Sequence, residues 1–272
     1  MNDRVTIDIE DGVADVRLVR ADKMNALDGA MFDALIEAGE RLKAEPGVRA
    51  AVLSGEGRAF CAGLDMGSFQ SMASGERRGA DGGTAGELLT PKRTDGGSNR
   101  AQHAVMVWRE VPVPVIAAVH GVAFGGGFQL ALGCDLRFVT ADTRMAVMEI
   151  KWGLVPDMGG MVLMRGLVRD DVARELTWTG RIFSGEEALS MGLATRVCAD
   201  PRDEALALAR DIAGKSPTAI RAGKRLFNLA AEADQHQILL HESQEQGALI
   251  GSAHQVEAVM ANLQKRAPAF SD

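Results

Sequence analysis

The sequence predicts an α/β fold that ends in a helical region. Three features of the chain carry this expectation: alternating segments around a tight turn near its start, strand-turn-helix order through its middle, and helical periodicity toward its end. Residues 5–9 and 13–18 alternate apolar and polar side chains around Asp11-Gly12, which predicts a β-hairpin at a sheet edge. Asp28 is placed to cap a helix in which Met31, Leu35, Ala38 and Leu42 recur at helical spacing, and residues 48–53 return to strand. Residues 67–98 shift to Gly, Ser, Arg and Asp around a weak apolar island at Leu88-Leu89, which predicts a mobile surface insertion, either a lid or a plain loop.

A second block repeats the logic of the first. It is read as a helix over 100–109, a strand over 115–119, a glycine-rich turn, a short helix from Gly126 and a strand over 136–140. Beyond Asp157 the pattern is mostly helical, with a capping box at Ser184-Gly185-Glu186-Glu187 and four helical stretches between about Pro201 and Arg266. Residues 1–200 are therefore taken as the core carrying the insertion, and residues 201–272 as a C-terminal helical region.

Composition narrows the function. The 272 residues, 46% hydrophobic and 25% charged, suit one large domain or two small ones with a real core. A net charge of -7 argues against nucleic acid or an anionic membrane surface as the partner. Cys61, Cys134 and Cys198 stand far apart with no C-x-x-C spacing, against a disulfide framework or a zinc site. The first residues lead straight into alternation, and no apolar run approaches the ~20 residues of a membrane helix, so the expected location is the cytoplasm.

Several motifs fail on position. Gly214-Lys215-Ser216 lacks the upstream glycine of a phosphate loop, where Ala209 stands, and His241-Glu242 is followed by Glu245 where a zincin needs its second histidine. There is no G-x-S-x-G elbow, and Gly121, Gly125, Gly126 and Gly127 do not have dinucleotide spacing. Two glycine-bearing turns remain, each after an apolar strand: Ala59-Phe60-Cys61-Ala62-Gly63-Leu64-Asp65, and His120-Gly121-Val122-Ala123-Phe124-Gly125-Gly126-Gly127-Phe128-Gln129. Glycines there let the backbone approach a ligand, and the helix that follows the triple glycine offers unpaired N–H groups to negative charge.

Those two strings, with Cys134-Asp135 and with Glu149 followed by Gly153-Leu154-Val155-Pro156, resemble the crotonase family of enoyl-CoA hydratases and isomerases, in order from about Val5 to Phe270. The resemblance implies a spiral of ββα units with a C-terminal helical trimerisation region, a homotrimer or dimer of trimers, and no permanently bound cofactor. It implies a coenzyme A thioester as substrate, its carbonyl oxygen held by the backbone N–H groups of Leu64 and Gly126. Carried over in the same way, the substrate-contacting positions are Arg20, Lys23, Ala26, Ala62, Asp65, Met66 and Gly125, with Arg20 and Lys23 at the nucleotide end.

The proton-moving groups depart from the hydratase pattern. Hydratases of the family carry a glutamate two residues after the triple glycine and another twenty residues later; here Gln129 fills the first position and Glu149 the second. An amide cannot act as a general base, so a single glutamate shuttling a proton on an enolate favours double-bond isomerisation over water addition. Hydration with Gln129 orienting the water, and a non-catalytic acyl-CoA-binding homologue, are the alternatives. The apolar run around Glu149 predicts a raised pKa. Asp157 matches an aspartate of dienoyl-CoA isomerases and equally suits the N-cap of the helix after it. His120 reads as structural, His103 stands beside the insertion as a candidate to reach the acyl end, and Cys61 and Cys134 read as core residues.

Overall fold

The computed structural model describes residues 3–67 and 93–271. Most of the expected insertion thus lies outside the described residues. The opening hairpin forms as expected: β1 (Val5–Glu10) pairs antiparallel with β2 (Val13–Leu18), and Asp11 and Gly12 both take positive φ in the turn. From β2 the main sheet runs parallel through β3 (Ala50–Gly55), β4 (Val115–Val119), β6 (Leu136–Val139) and β8 (Arg196–Val197), which leaves β1 at one edge.

The central strands are apolar on both faces because both faces are covered. On β3, Ala51 and Leu53 join one core cluster, whereas Ala50 and Val52 join another; β4 divides its residues in the same alternating way. The first cluster holds α1 (Gly29–Ala44), α2 (Arg100–Glu110) and α3 (Gly126–Gly133). Asp28 caps α1 by accepting from the Met31 amide, and Met31, Leu35, Ala38 and Leu42 are all buried. The second cluster is closed by α7 (Pro201–Ala213), whose Ala205, Ala209 and Ala213 lie on Val52, Ile116 and Phe138. The first helix of the predicted C-terminal region therefore covers the sheet.

One feature of the middle segment differs from expectation. The glycine-rich stretch contains a three-residue strand, β5 (Val122–Phe124), which pairs parallel with β7 (Arg144–Ala146) in a small second sheet. Strands this short show no periodicity to read. After a 3-10 turn (Glu149–Trp152) come α4 (Gly160–Met164), α5 (Asp170–Thr179) and α6 (Gly185–Met191), the last with the expected capping box on Ser184 and Glu187. Helices α8 (Pro217–Ala230), α9 (Gln235–Leu249) and α10 (Ala253–Gln264) complete the four stretches read from the sequence. Among the described residues, no helix is long and apolar enough to cross a membrane.

Helix α8 is fastened through a buried lysine. The Lys224 ammonium donates to the Trp108 and Val113 carbonyls at 3.1 and 2.9 Å and to Asp135 Oδ2 at 2.7 Å. Burial pushes its pKa down, against the pull of Asp135. Replacing it with methionine keeps the length of the side chain but takes a donor from two carbonyls and leaves the Asp135 carboxylate with the Val115 amide and no cation. Lys224→Met should lower unfolding stability by about 3 kcal/mol, measured by urea denaturation, whereas a latch of no energetic weight would leave the midpoint unchanged.

Candidate active site

The two glycine turns meet backbone to backbone. Gly63 has φ +87°, and a Cβ added there would lie 2.5 Å from the Phe124 carbonyl oxygen and 3.7 Å from the Gly126 nitrogen. From the other side, a Cβ on Gly127 would lie 2.3 Å from the Cys61 carbonyl oxygen. Only glycine permits this approach. Two parallel bridges set the register: Cys61 with Ala123, and Leu27 with Leu64.

These bridges also orient the amides. Leu27 N–H donates to the Gly63 carbonyl at 2.8 Å and Asp65 N–H to the Leu27 carbonyl at 3.0 Å. In a parallel bridge the residue between those bonds, Leu64, turns its own N–H to the opposite side. Gly126 is the first residue of α3, so its N–H has no carbonyl one turn back to meet. Among the described residues neither amide has a hydrogen-bond partner. Two preorganised donors on adjoining segments can bind an oxygen on which negative charge develops.

Asn25, which the sequence reading passed over, underpins this loop. It is fully buried at φ +55°, accepts from the Arg20 amide, and donates to the Glu56 and Ala59 carbonyls at 3.0 and 2.9 Å. An asparagine in the left-handed region is the one available signal, and it needs the backbone to be seen. Arg20 proves to be an internal clamp. Its guanidinium bonds Asp65 at 2.7 Å, the Ala26 carbonyl at 2.9 Å and Asp28 at 3.3 Å. A bond from the Gly67 amide, together with the pairing with Arg20, holds the Asp65 carboxyl below its usual range. Lys23 and Met66 are exposed, Ala62 is half-buried and Ala26 is buried.

Glu149 opens the 3-10 turn after β7 and is buried, not at an exposed strand end. Its carboxylate lies against Gly125, where a Cβ would be 3.3 Å from Oε1. Gln129, on α3 and 1% exposed, donates from Nε2 to Glu149 Oε1 at 2.7 Å. Glu149 Oε2 is buried and has no hydrogen-bond partner among the described residues. Burial raises the Glu149 pKa and the charge of Asp157 adds to the rise; the bond from Gln129 and nearby backbone amides oppose it. The structure thus brings together Gly125, Gly126, Gln129 and Glu149, with Asp157 within electrostatic reach.

The capping role considered for Asp157 is not what the structure has. Helix α4 begins only at Gly160, its N-cap is Gly159 at φ +96°, and no side chain of the cap residue accepts there. The amides that a cap would serve are taken from across the fold: Met158 N–H and Gly160 N–H each donate to Gln129 Oε1 at 2.9 Å. Asp157 is left with an exposed carboxyl whose pKa is raised by partial desolvation against its neighbours. A cavity of about 970 Å³, lined by none of these site residues, lies between α2, α4 and α8. Met106 lines it and also packs its sulfur against Gly159.

The remaining candidates are structural. His120 Nε2 pairs with the Gly57 carbonyl and His103 Nε2 with Glu40, both at 2.9 Å. Cys61 and Cys134 are buried, and burial pushes both thiols up to about 12, far from nucleophilic thiolates.

Comparison with known proteins agrees with this geometry. Residues 8–272 match the family model described as enoyl-CoA hydratase/isomerase. The chain is 32% identical over 255 residues to the peroxisomal Delta(3,5)-Delta(2,4)-dienoyl-CoA isomerase of Arabidopsis thaliana, covering 93% of this chain and 90% of that protein. It is also 32% identical over 225 residues to the mitochondrial Delta(3,5)-Delta(2,4)-dienoyl-CoA isomerase of Mus musculus, covering 78% of this chain and 64% of that longer protein. Among solved structures, an enoyl-CoA hydratase from Bacillus anthracis superposes with a TM-score of 0.87 at 27% identity, covering 98% of both chains. Matched by that family model over residues 8–272 and by solved structures of the same fold, this chain belongs to the enoyl-CoA hydratase/isomerase family and has the crotonase fold.

Proposed function

We propose that the protein isomerises a carbon–carbon double bond in an acyl-coenzyme A thioester, with Glu149 as the proton carrier. The observation that carries this reading is the state of the Glu149 carboxylate: one oxygen held by an amide, the other buried and unpartnered, and no second carboxylate at position 129. The thioester carbonyl oxygen accepts from the Leu64 and Gly126 amides, which lowers the energy of an enolate; one such donor is worth about 3 kcal/mol. Glu149 Oε2 takes a proton from one carbon, the π electrons move along the chain, and the carboxyl, whose proton exchanges with solvent, returns a proton to another carbon. The double bond shifts, nothing is added, and the carboxylate is regenerated.

Water addition in the two-carboxylate scheme needs a second acceptor to orient and deprotonate the water. The only acceptor oxygen of Gln129 already receives two backbone amides. Asp157, freed from capping and coupled electrostatically to Glu149, supplies a second titratable group for a conjugated diene, and the similarity to dienoyl-CoA isomerases favours that substrate class. Lys23 is the exposed cation at the nucleotide end, while Gly125, Ala62 and Met66 border the acyl part. Exposed Val155, Met161, Val162, Phe227 and Leu263 support assembly of the chain into a homotrimer or dimer of trimers. A panel of 2-enoyl, 3-enoyl and dienoyl-CoA thioesters incubated in deuterated water, with products identified by mass, tests the proposal. Deuterium uptake without net addition supports it; efficient hydration, or binding with no exchange, overturns it.

Glu149→Gln should reduce turnover by about 10²–10⁴-fold while thioester affinity stays within a few-fold. The same variant has a stability signature with a fixed sign. Because the folded-state pKa of Glu149 is raised, the wild type carries a charge-burial penalty at pH values above it. That penalty fades as pH falls toward the pKa of an unfolded carboxylate. Glu149→Gln should therefore melt higher than wild type at alkaline pH, with the gap closing in acid, as followed by calorimetry.

Asp157→Asn has no cap to break and removes a carboxyl whose pKa is raised in the fold, so its unfolding midpoint should be no lower than that of wild type. Dienoyl turnover should fall by about two orders of magnitude, with 3-enoyl to 2-enoyl conversion largely kept. Removal of the neighbouring negative charge should also move the acid limb of the remaining activity to lower pH. Equal loss of every activity together with stability would make Asp157 a structural residue.

A further inference from the structure

We propose that Gln129 is a positioning residue, which makes Glu149 Oε1 a permanent acceptor and so confines the exchangeable proton to Oε2. The inference rests on the reading of Glu149 as the proton carrier and adds which of its oxygens acts and what selects it. Gln129 cannot rotate its amide. Its oxygen sits at 2.9 Å from both the Met158 and the Gly160 nitrogens, and its nitrogen at 2.7 Å from Glu149 Oε1. A flip would set an NH₂ group against two N–H donors and a carbonyl oxygen against a carboxylate, losing all three bonds.

The fixed NH₂ group then acts on Glu149. A proton on Oε1 would point at a donor, so the neutral acid carries its proton on Oε2, which has no competing partner among the described residues. The lock is anchored at both ends. Gln129 is fully packed within α3, and a Cβ on Gly160 would lie 2.8 Å from its oxygen, so the helix turn that holds it has no room for any side chain. An amide is suited to this task because it offers an acceptor and a donor from one rigid group and never titrates in the working range. A carboxylate at 129 could satisfy the Met158 and Gly160 amides but could face Glu149 only by sharing a proton with it.

Two full-chain variants separate positioning from mere support of α4. Gln129→Met removes the donor to Glu149 as well as the acceptor for α4. If it folds by circular dichroism, the acid limb of its kcat profile should move up by about one pH unit, with kcat down about tenfold and KM nearly unchanged. Gln129→Glu keeps an oxygen for the Met158 and Gly160 amides, so a purely structural role would be rescued. Under the proposal its profile instead carries one titration more than that of wild type, since two carboxyls at this distance titrate as a pair; this variant decides the matter if Gln129→Met does not fold. Folded variants with the wild-type limb and kcat would overturn the positioning role. Glu149→Gln measured beside them keeps the two failures apart: full activity in that variant removes the proton carrier itself, whereas inactivity there with unmoved Gln129 variants removes only the positioning.

Discussion

The contact on which the rest of the site depends is one of backbone against backbone. Where the loop after β3 meets the loop after β4, carbonyls of Cys61 and Phe124 occupy the space that side chains on Gly127 and Gly63 would fill. The absence of those side chains brings Leu64 and Gly126 to neighbouring positions on segments more than sixty residues apart in sequence. Each loop is then held independently of the other. Asn25 ties down the first through three hydrogen bonds of its side chain, and β5 pairs the second with β7. Pairing with β7 also delivers Glu149 to Gly125, because the 3-10 turn begins three residues after that strand ends.

Burying a carboxylate there is unfavourable unless something compensates. A second charge, such as a lysine, would compensate fully and leave the carboxylate too weak a base to collect a proton from carbon. The neutral amide of Gln129 compensates in part, and Asp157 works in the opposite direction, so the balance keeps Glu149 above the ordinary carboxylate range. Burial, a single neutral donor and a neighbouring like charge thus act together on one group. By contrast, Lys224 is buried against a full negative partner and two carbonyls, and its role is to hold a helix in place.

The elements legible in the sequence were those whose signal is local. The hairpin around Asp11-Gly12, the Asp28 cap, the Ser184 capping box and the four late helices depend on near neighbours, and each forms where expected. The two glycine turns were legible as a pair through their resemblance to a family, and the fold comparison bears out the family. What the sequence could not display were long-range exchanges of hydrogen bonds. Asp157 stands where a cap would stand, yet the acceptor for that helix comes from Gln129, nearly thirty residues earlier. Arg20 looks like a free cation until Asp65, distant in sequence, is seen to bind it. Asn25 gave no pattern at all, because its value lies in a left-handed backbone and three remote partners.

The covering of the second sheet face by α7 also bears on how the chain comes to be folded. Val13, Ala50, Val52, Ile116, Ala118 and Phe138 form an apolar surface whose lid, Pro201–Ala213, is made late. During synthesis at about 5–20 residues per second, roughly 75 further residues separate the end of β6 from the end of that helix, an interval of about 4–15 s. For that time this face of the nascent sheet stays bare, with its parallel strands already able to pair. The order of segments in this chain therefore sets how long an apolar face stays uncovered during synthesis, through the position of one alanine-lined helix.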